Sequence, residues 1–329
     1  MRLQVTVVGC RQKGISIGLA LAKADPEIMR IGYDTVPNQL LSVQKNGAFN
    51  STTLDYRKAV ENSDVIFFCV PQNDKPELQK SILPCLKKGC LVLDDPAPVQ
   101  RSFEKIKELL PAGVDYIPFL STINPKYLFG EILPEKTGVA DLFINGVTSI
   151  CGFPTTSSTG VNLAAKICTL LGSKPMFADP AEVDGFHASM IQMPQILAAA
   201  WMNFVSTQPG WRDGRKFTGQ EFSSCTAAVE ALVPGDHPAL SMIENKDNLV
   251  RLLDGYIFVM QHIRNALAEQ DVEKMDVYLE QAQDAYTIWR HQRNSNEWES
   301  APGKSKYPTF GEQLSSMFLG NLNRKKKED

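Results

Sequence analysis

Gly9-Cys10-Arg11-Gln12-Lys13-Gly14 directly follows the apolar run 3–8 and opens the helix-patterned stretch 15–23. Strand, glycine turn and helix in that order form the phosphate-binding start of a dinucleotide-binding α/β unit. In the G-x-G-x-x-G fingerprint the first glycine makes the tight turn, the second lets the backbone approach a pyrophosphate, and the third packs helix on strand. Gly9 and Gly14 hold the first and third places, and Arg11 stands at the second. A short strand at 30–34 then ends in Asp34, roughly 20 residues beyond the loop, where an acid bonds a ribose 2′-hydroxyl and disfavours a 2′-phosphate. Asp34 therefore points to NAD. Arg11 and Lys13 pull toward NADP, because cationic side chains beside the phosphates suit an additional anion. NAD is the expected cofactor, with NADP possible, and Gly9, Arg11, Gly14 and Asp34 are its expected contacts.

The alternation continues outward from the loop. The apolar run 65–70, stopped by Pro71, has the continuous hydrophobicity of a buried parallel strand. A helix pattern follows at 76–86, then a strand at 90–93 running into Asp94-Asp95, a helix at 99–110, a strand at 115–119 and a last strand within 141–151. This order predicts an N-terminal Rossmann-like α/β domain, a doubly wound parallel sheet over residues 1–158, with ligands at the carboxyl ends of its strands. Val70 and Pro71 are expected to line the cofactor cleft. Beyond Gly160 the apolar spacing turns to three and four residues over 161–171, 181–205, 245–269 and 272–292. That spacing predicts an all-α domain over 159–293. Ala198-Ala199-Ala200-Trp201 suggests a helix buried on most faces, as in a dimer core or a domain interface. A polar extension punctuated by Trp298 and Tyr307 occupies 294–329.

Composition narrows the class. A chain of 329 residues with 43% apolar content allows about two domains and a sizeable core. A net charge of -3 offers no electrostatic case for nucleic acid. The one basic run, Arg324-Lys325-Lys326-Lys327, reads as a solvated terminus. Seven cysteines without a C-x-x-C pair argue against a disulfide framework or a zinc site, so no metal is expected and a reducing cytoplasm fits. No signal peptide is expected before the first strand, and no apolar stretch is long enough to span a bilayer. The expected partner is a small-molecule substrate.

The segment 9–21, Gly32-Tyr33-Asp34, Val70-Pro71, Asn124-Pro125, Met193-Pro194-Gln195-Ile196-Leu197-Ala198 and Asn245-Lys246-Asp247-Asn248-Leu249-Val250-Arg251-Leu252-Leu253, in this order, resemble the prephenate and arogenate dehydrogenases. The likeness covers roughly residues 3–290 and rests on many weak motifs in sequence. It implies an NAD(P) domain, a helical dimerisation domain making a homodimer, and an active site between them. The implied reaction is oxidative decarboxylation of prephenate to 4-hydroxyphenylpyruvate, or of arogenate to tyrosine.

The family's chemical groups are replaced at each position that can be matched. Its His-Pro element reads Asn124-Pro125, and an amide can orient a hydroxyl but cannot take its proton, a step that typically contributes about 10²- to 10⁴-fold. Its Asp-x-x-Ser element reads Asp95-Pro96-Ala97-Pro98, and its His-Leu-Pro-His element reads Gln192-Met193-Pro194-Gln195. Its carboxylate-binding arginine falls near Thr226-Ala227, where no side chain can make a bidentate clamp. Asn124, Gln192 and Gln195 are therefore expected to face the substrate as the catalytic positions. Arg212, Arg215 and Lys216 read as a solvated loop over 209–219. His187 lies five residues before Gln192, about 140° away on an α-helix, and is expected to face a neighbouring surface instead. His237 reads as a turn residue, and His262 and His291 as structural or exposed. Three functions follow: a divergent dehydrogenase of this type, a nicotinamide-dependent dehydrogenase with a less anionic substrate, or a non-catalytic dinucleotide-binding protein.

Overall fold

The computed structural model describes residues 2–43, 46–129, 137–233 and 238–298. Tyr307, the basic run 324–327 and His237 lie outside these residues. The first half builds β1 (Gln4–Val8), α1 (Gln12–Ala24), β2 (Met29–Tyr33), α2 (Pro37–Val43), β3 (Ser51–Thr53), α3 (Tyr56–Val60), β4 (Val65–Phe68) and α4 (Lys75–Ile82). It continues with β5 (Leu91–Asp94), α5 (Val99–Ile106), β6 (Asp115–Ser121), α6 (Lys126–Phe129), β7 (Val147–Cys151), α7 (Ser158–Leu170) and β8 (Lys174–Ala178). The eight strands form one sheet in the order β3-β2-β1-β4-β5-β6-β7-β8. Every neighbouring pair is parallel except β6 with β7. This is the expected doubly wound α/β sheet, with an antiparallel step near one edge.

Side-chain alternation explains why the central strands are apolar throughout. Along β4, Val65 and Phe67 enter a core that also holds Ile17, Leu21 and Ile167, while Ile66 and Phe68 enter the opposite core with Ile82, Leu83 and Ile106. Both faces are covered by helices, so no position on the strand can be polar without a partner.

The sheet runs past residue 158, the expected end of the α/β domain. The helix expected at 161–171 is α7, and its Ala164, Ile167 and Cys168 pack into the sheet's core. β8 then adds a parallel edge strand beside β7. Its sequence gives little strand signal, because Lys174, Pro175, Met176 and Phe177 are exposed and lysine and proline suit an edge.

The chain turns helical beyond residue 178, with α8 (Pro180–His187), a π turn (Ala188–Gln192), α9 (Met193–Ser206), α10 (Trp211–Gly214), α11 (Gln220–Thr226), α12 (Pro238–Glu244), α13 (Lys246–Ala268) and α14 (Val272–Ser295). Two compact units result, 1–252 and 253–329. Within a single chain α9 buries only Met193 and Ala198, and Trp201 and Phe204 are 45% and 59% exposed. The burial expected for this helix is therefore not supplied by the described residues. In the second unit His262 Nδ1 donates to the Phe258 carbonyl at 2.8 Å, and His291 is exposed. All seven cysteines are unpaired thiols. No described helix is long and apolar enough to cross a membrane, and the described residues hold no cluster suited to a metal ion.

Candidate active site

The glycine loop is shaped by backbone contacts. Gly9 has φ +99°, and a Cβ there would lie 2.5 Å from the Cys69 carbonyl oxygen. A Cβ on Gly14 would lie 2.0 Å from the Gly9 carbonyl oxygen. Neither position can hold a side chain without moving main chain. Gly14 thus joins helix to strand beneath the loop, and the crevice above it is lined by Gly9 and Arg11. Arg11 is the N-cap of α1, extended at φ -92° and ψ -171°, and no side chain caps the helix there. The helix N-terminus therefore presents its positive end to an anion.

Asp34, buried at the end of β2, accepts from Cys10 N at 2.8 Å and Val36 N at 2.9 Å, tying the loop to the strand end. Gly9, Arg11, Asp34, Val70 and Pro71 line one crevice. Its donor set fits a dinucleotide: uncapped helix amides for a pyrophosphate and a carboxylate for a ribose. The nearby thiols are not nucleophiles, since burial pushes Cys69 up to about 12 and Cys10 higher still.

Beside this crevice lies a buried charge network absent from the sequence-based expectation. Lys75 reaches Asp94 Oδ1 at 2.7 Å and Asp95 Oδ1 at 2.6 Å, and also donates to the Asp95 carbonyl at 3.1 Å. Asp94 further accepts from Gln79 Nε2 at 3.0 Å and from the Tyr116 hydroxyl at 2.9 Å. Lys13 of the glycine loop pairs with the second carboxylate oxygen of Asp95. Burial disfavours charge on Asp95, but Lys13 and Lys75 outweigh it and hold the carboxyl well below the usual range. Burial likewise opposes charge on Lys75, and Asp94 and Asp95 reverse it, keeping the ammonium protonated. Because Asp95 neutralises Lys13, that lysine brings little net charge to a second phosphate. The visible signal for this network was the acidic pair at a strand's carboxyl end, which requires a cation when buried.

A cavity of about 700 Å³ opens on the other side of Val70-Pro71, and those two residues line both spaces. His187, Gln192, Gln195, Ser241, Lys75 and Asp95 are among its walls. His187 therefore reaches the space it was expected to avoid. The reason is the π turn over Ala188–Gln192, closed by Met193 N on the Ala188 carbonyl. An i→i+5 turn brings residues five apart back to one side, whereas an α-helix would separate them, and such turns concentrate at functional sites. Burial lowers the His187 pKa, while Gln192, Asp184 and Asp95 favour the protonated ring. Its Nδ1 is buried without a hydrogen-bond partner.

Gln192 is buried and structurally committed. Its Nε2 donates to Ser241 Oγ at 3.1 Å, and its Oε1 accepts from Asn245 Nδ2 at 2.9 Å. Ser241 in turn donates to the Ala97 carbonyl at 3.0 Å, and Asn245 to the Asp184 carbonyl at 3.0 Å. Asp184 accepts from Val99 N at 2.6 Å and Gln100 N at 3.3 Å at the start of α5. Gln192 thus ties the π turn to Ser241 of α12 and to Asn245, Ser241 ties α12 to the loop after β5, and Gln195 is the amide with no such commitment in the network. Asn124 departs from expectation. Its Nδ2 donates to the Asp141 carbonyl at 3.1 Å, its Oδ1 accepts from Lys126 N at 3.2 Å, and it is not among the residues lining this cavity. Its side chain is spent on shaping its own turn. Arg212, Arg215 and Lys216 are exposed, on helical turns rather than in an open loop, and Thr226-Ala227 also lies outside the cavity wall.

Residues 4–98, which contain the glycine loop and the crevice, match the family described as NADP oxidoreductase, coenzyme F420-dependent. Over 286 residues the chain is 22% identical to the cyclohexadienyl dehydrogenase of Zymomonas mobilis, covering 85% of this chain and 94% of that one. The prephenate dehydrogenase of Aquifex aeolicus, solved with hydroxyphenyl propionate and NAD+, has the same fold, with a TM-score of 0.75, 16% identity and coverage of 87% of this chain and 98% of that one. Synechocystis arogenate dehydrogenase superposes with a TM-score of 0.70 at 15% identity over 87% of this chain and 100% of that one. The resemblance read from the motifs is met at both the sequence and the fold level.

Proposed function

We propose that this protein is an NAD-dependent dehydrogenase, similar to the prephenate and arogenate dehydrogenases, that oxidises a hydroxyl-bearing small molecule. The observation that carries this reading is the contiguity of crevice and cavity at Val70-Pro71. Gly9, Arg11 and Asp34 would hold the dinucleotide, and a nicotinamide bound beside that shared wall would supply the hydride acceptor. The chain's own residues bind and orient: Asp34 favours a free ribose 2′-hydroxyl, the α1 terminus takes the pyrophosphate, and Gln195 offers hydrogen bonds to the substrate.

The cavity's charge favours a substrate less anionic than prephenate. Lys75 is consumed by Asp94 and Asp95, Lys105 pairs with Glu244 at 2.5 Å and Lys80 with Glu77 at 2.8 Å, so each lysine on the cavity wall already has a carboxylate partner. The family reaction on prephenate or arogenate remains the first to assay. Reduced-nicotinamide formation with NAD or NADP, each with prephenate, arogenate or no substrate, tests the proposal. Turnover above the blank supports the family reaction. Silence by a folded protein that binds NAD supports the altered-substrate reading, and absence of both binding and turnover overturns the dehydrogenase assignment.

We further propose a homodimer in which a second copy covers the exposed face of α9, since Trp201 and Phe204 lack cover in one chain. Light scattering showing a monomer at micromolar concentration would remove that proposal. Seven unpaired thiols suit a reducing compartment, and the cytoplasm is the proposed location.

A further inference from the structure

We infer that His187 is the proton acceptor for the substrate hydroxyl, a role placed by the π turn on a residue outside every motif of the family resemblance. The inference rests on the dehydrogenase reading above and names the group that completes it. Three observations on the fold converge. First, the π turn puts His187 on the same cavity wall as Gln192 and Gln195. Second, among the groups on that wall the carboxylates are unsuited to the task. Asp95 is locked between Lys13 and Lys75, Asp94 is bound by Lys75, Gln79 and Tyr116, and Glu244 pairs with Lys105. Third, His187 is the one imidazole among the residues that line this cavity. A neutral imidazole carries one unprotonated nitrogen and can take the proton that these carboxylates cannot.

The surroundings suit a ring that begins neutral and ends protonated. Burial disfavours the imidazolium in the resting site, and Gln192, Asp184 and Asp95 stabilise it once formed, with Lys75 the opposing charge on the same wall. In the oxidation the substrate C–H bond breaks with its electron pair leaving to an oxidised nicotinamide, and the O–H proton passes to His187 as the C–O bond becomes a carbonyl. Gln192, fixed by Ser241 and Asn245, is the positioning residue that holds the π turn and the ring against the cavity.

The first test needs no turnover. The full-length protein is labelled at its histidine ring nitrogens and titrated with p-cresol, a neutral ring hydroxyl, or with 4-methylanisole, the same ring lacking the O–H donor. Of the four histidines, His187 alone is expected to shift, and only with p-cresol. Equal shifts with both compounds, or none at His187, overturn the inference. His187→Gln and His187→Asn provide the kinetic test where wild type turns over: kcat/KM is expected to fall about 10²- to 10⁴-fold, and the rise of wild-type activity through one ionisation below neutrality should vanish. A variant with the wild-type rate and pH profile overturns the assignment while leaving the dehydrogenase reading intact. A wild-type protein that shifts at His187 with p-cresol yet reduces no NAD fails that reading and keeps the hydroxyl-acceptor site.

Discussion

The glycine loop and the cavity wall at the π turn meet at Val70-Pro71, yet they are specified in different ways. The loop is a backbone object: its shape follows from φ at Gly9, the contact of Gly14 with a carbonyl, and one carboxylate accepting two amides. The wall is a side-chain object, assembled by Gln192 of the π turn, Ser241 of α12, Asn245 just after α12 and the loop after β5. Local sterics make the first recognisable from six residues. The second exists only when distant elements pack, and its chemistry is free to drift while the loop stays put.

The largest effect is expected where the two regions share charge. Lys75→Met should leave the buried Asp94 without its cation and Asp95 with Lys13 alone, and lower the unfolding free energy by about 3–5 kcal/mol, measured by urea denaturation. A loss below about 1 kcal/mol would mean that the network is open to water and does not hold the two regions together.

Next comes the loop itself. Gly14→Ala forces a methyl toward the Gly9 carbonyl and should destabilise by about 1–3 kcal/mol with loss of NAD binding by calorimetry. Gly185→Ala in α8 is the matched control, since nothing lies within 4 Å of its Cβ position. It should be neutral or stabilising by up to about 1 kcal/mol. Similar outcomes for the two alanines would erase the claim that the loop is governed by backbone contact.

On the wall, Asn245→Ala removes the donor shared by the Gln192 amide and the Asp184 carbonyl, for an expected cost of about 1–3 kcal/mol. NAD affinity should be unchanged, which separates wall from loop. A fall in NAD affinity would show that the two regions are coupled through more than Val70-Pro71.

Acid sharpens the comparison further. The Asp95 carboxyl is depressed in the fold, so its stabilising contribution is present above the ordinary carboxylate value of 3.8 and is lost as pH falls through the folded pKa. The His187 pKa is also depressed, and its unfolded form takes up a proton first, so stability declines as pH drops below about 6.5. His187→Gln should flatten the slope near that pH and leave the lower one. The smallest effect belongs to the exposed rim, where Lys105→Ala, breaking the pair with Glu244, should change the urea midpoint by under about 1 kcal/mol in free energy.

Much of the α/β half was legible in the residues because buried parallel strands demand unbroken apolar runs and a tight turn demands glycine. Val65 to Phe68 and Gly9 carry those demands in their own identities. β8 was not legible, since an edge strand needs no apolar face. His187 was misplaced for a related reason: spacing arguments assume an α-helical step, and nothing in Ala188-Ser189-Met190-Ile191-Gln192 marks the extra residue per turn. Asn124 stood beside the right proline, but its amide turned out to serve Asp141 and Lys126.

Local chemistry alone thus settled the phosphate loop, the acid at Asp34 and the order of strands and helices, because steric and burial rules act over a few residues. Only packing decided that Lys75 meets Asp94 and Asp95, that Ser241 and Asn245 reach back 49 and 53 residues to Gln192, and that His187 opens into the cavity. Such pairings depend on how helices are seated against a sheet, and a buried charge or amide selects its partner only once that seating removes the water.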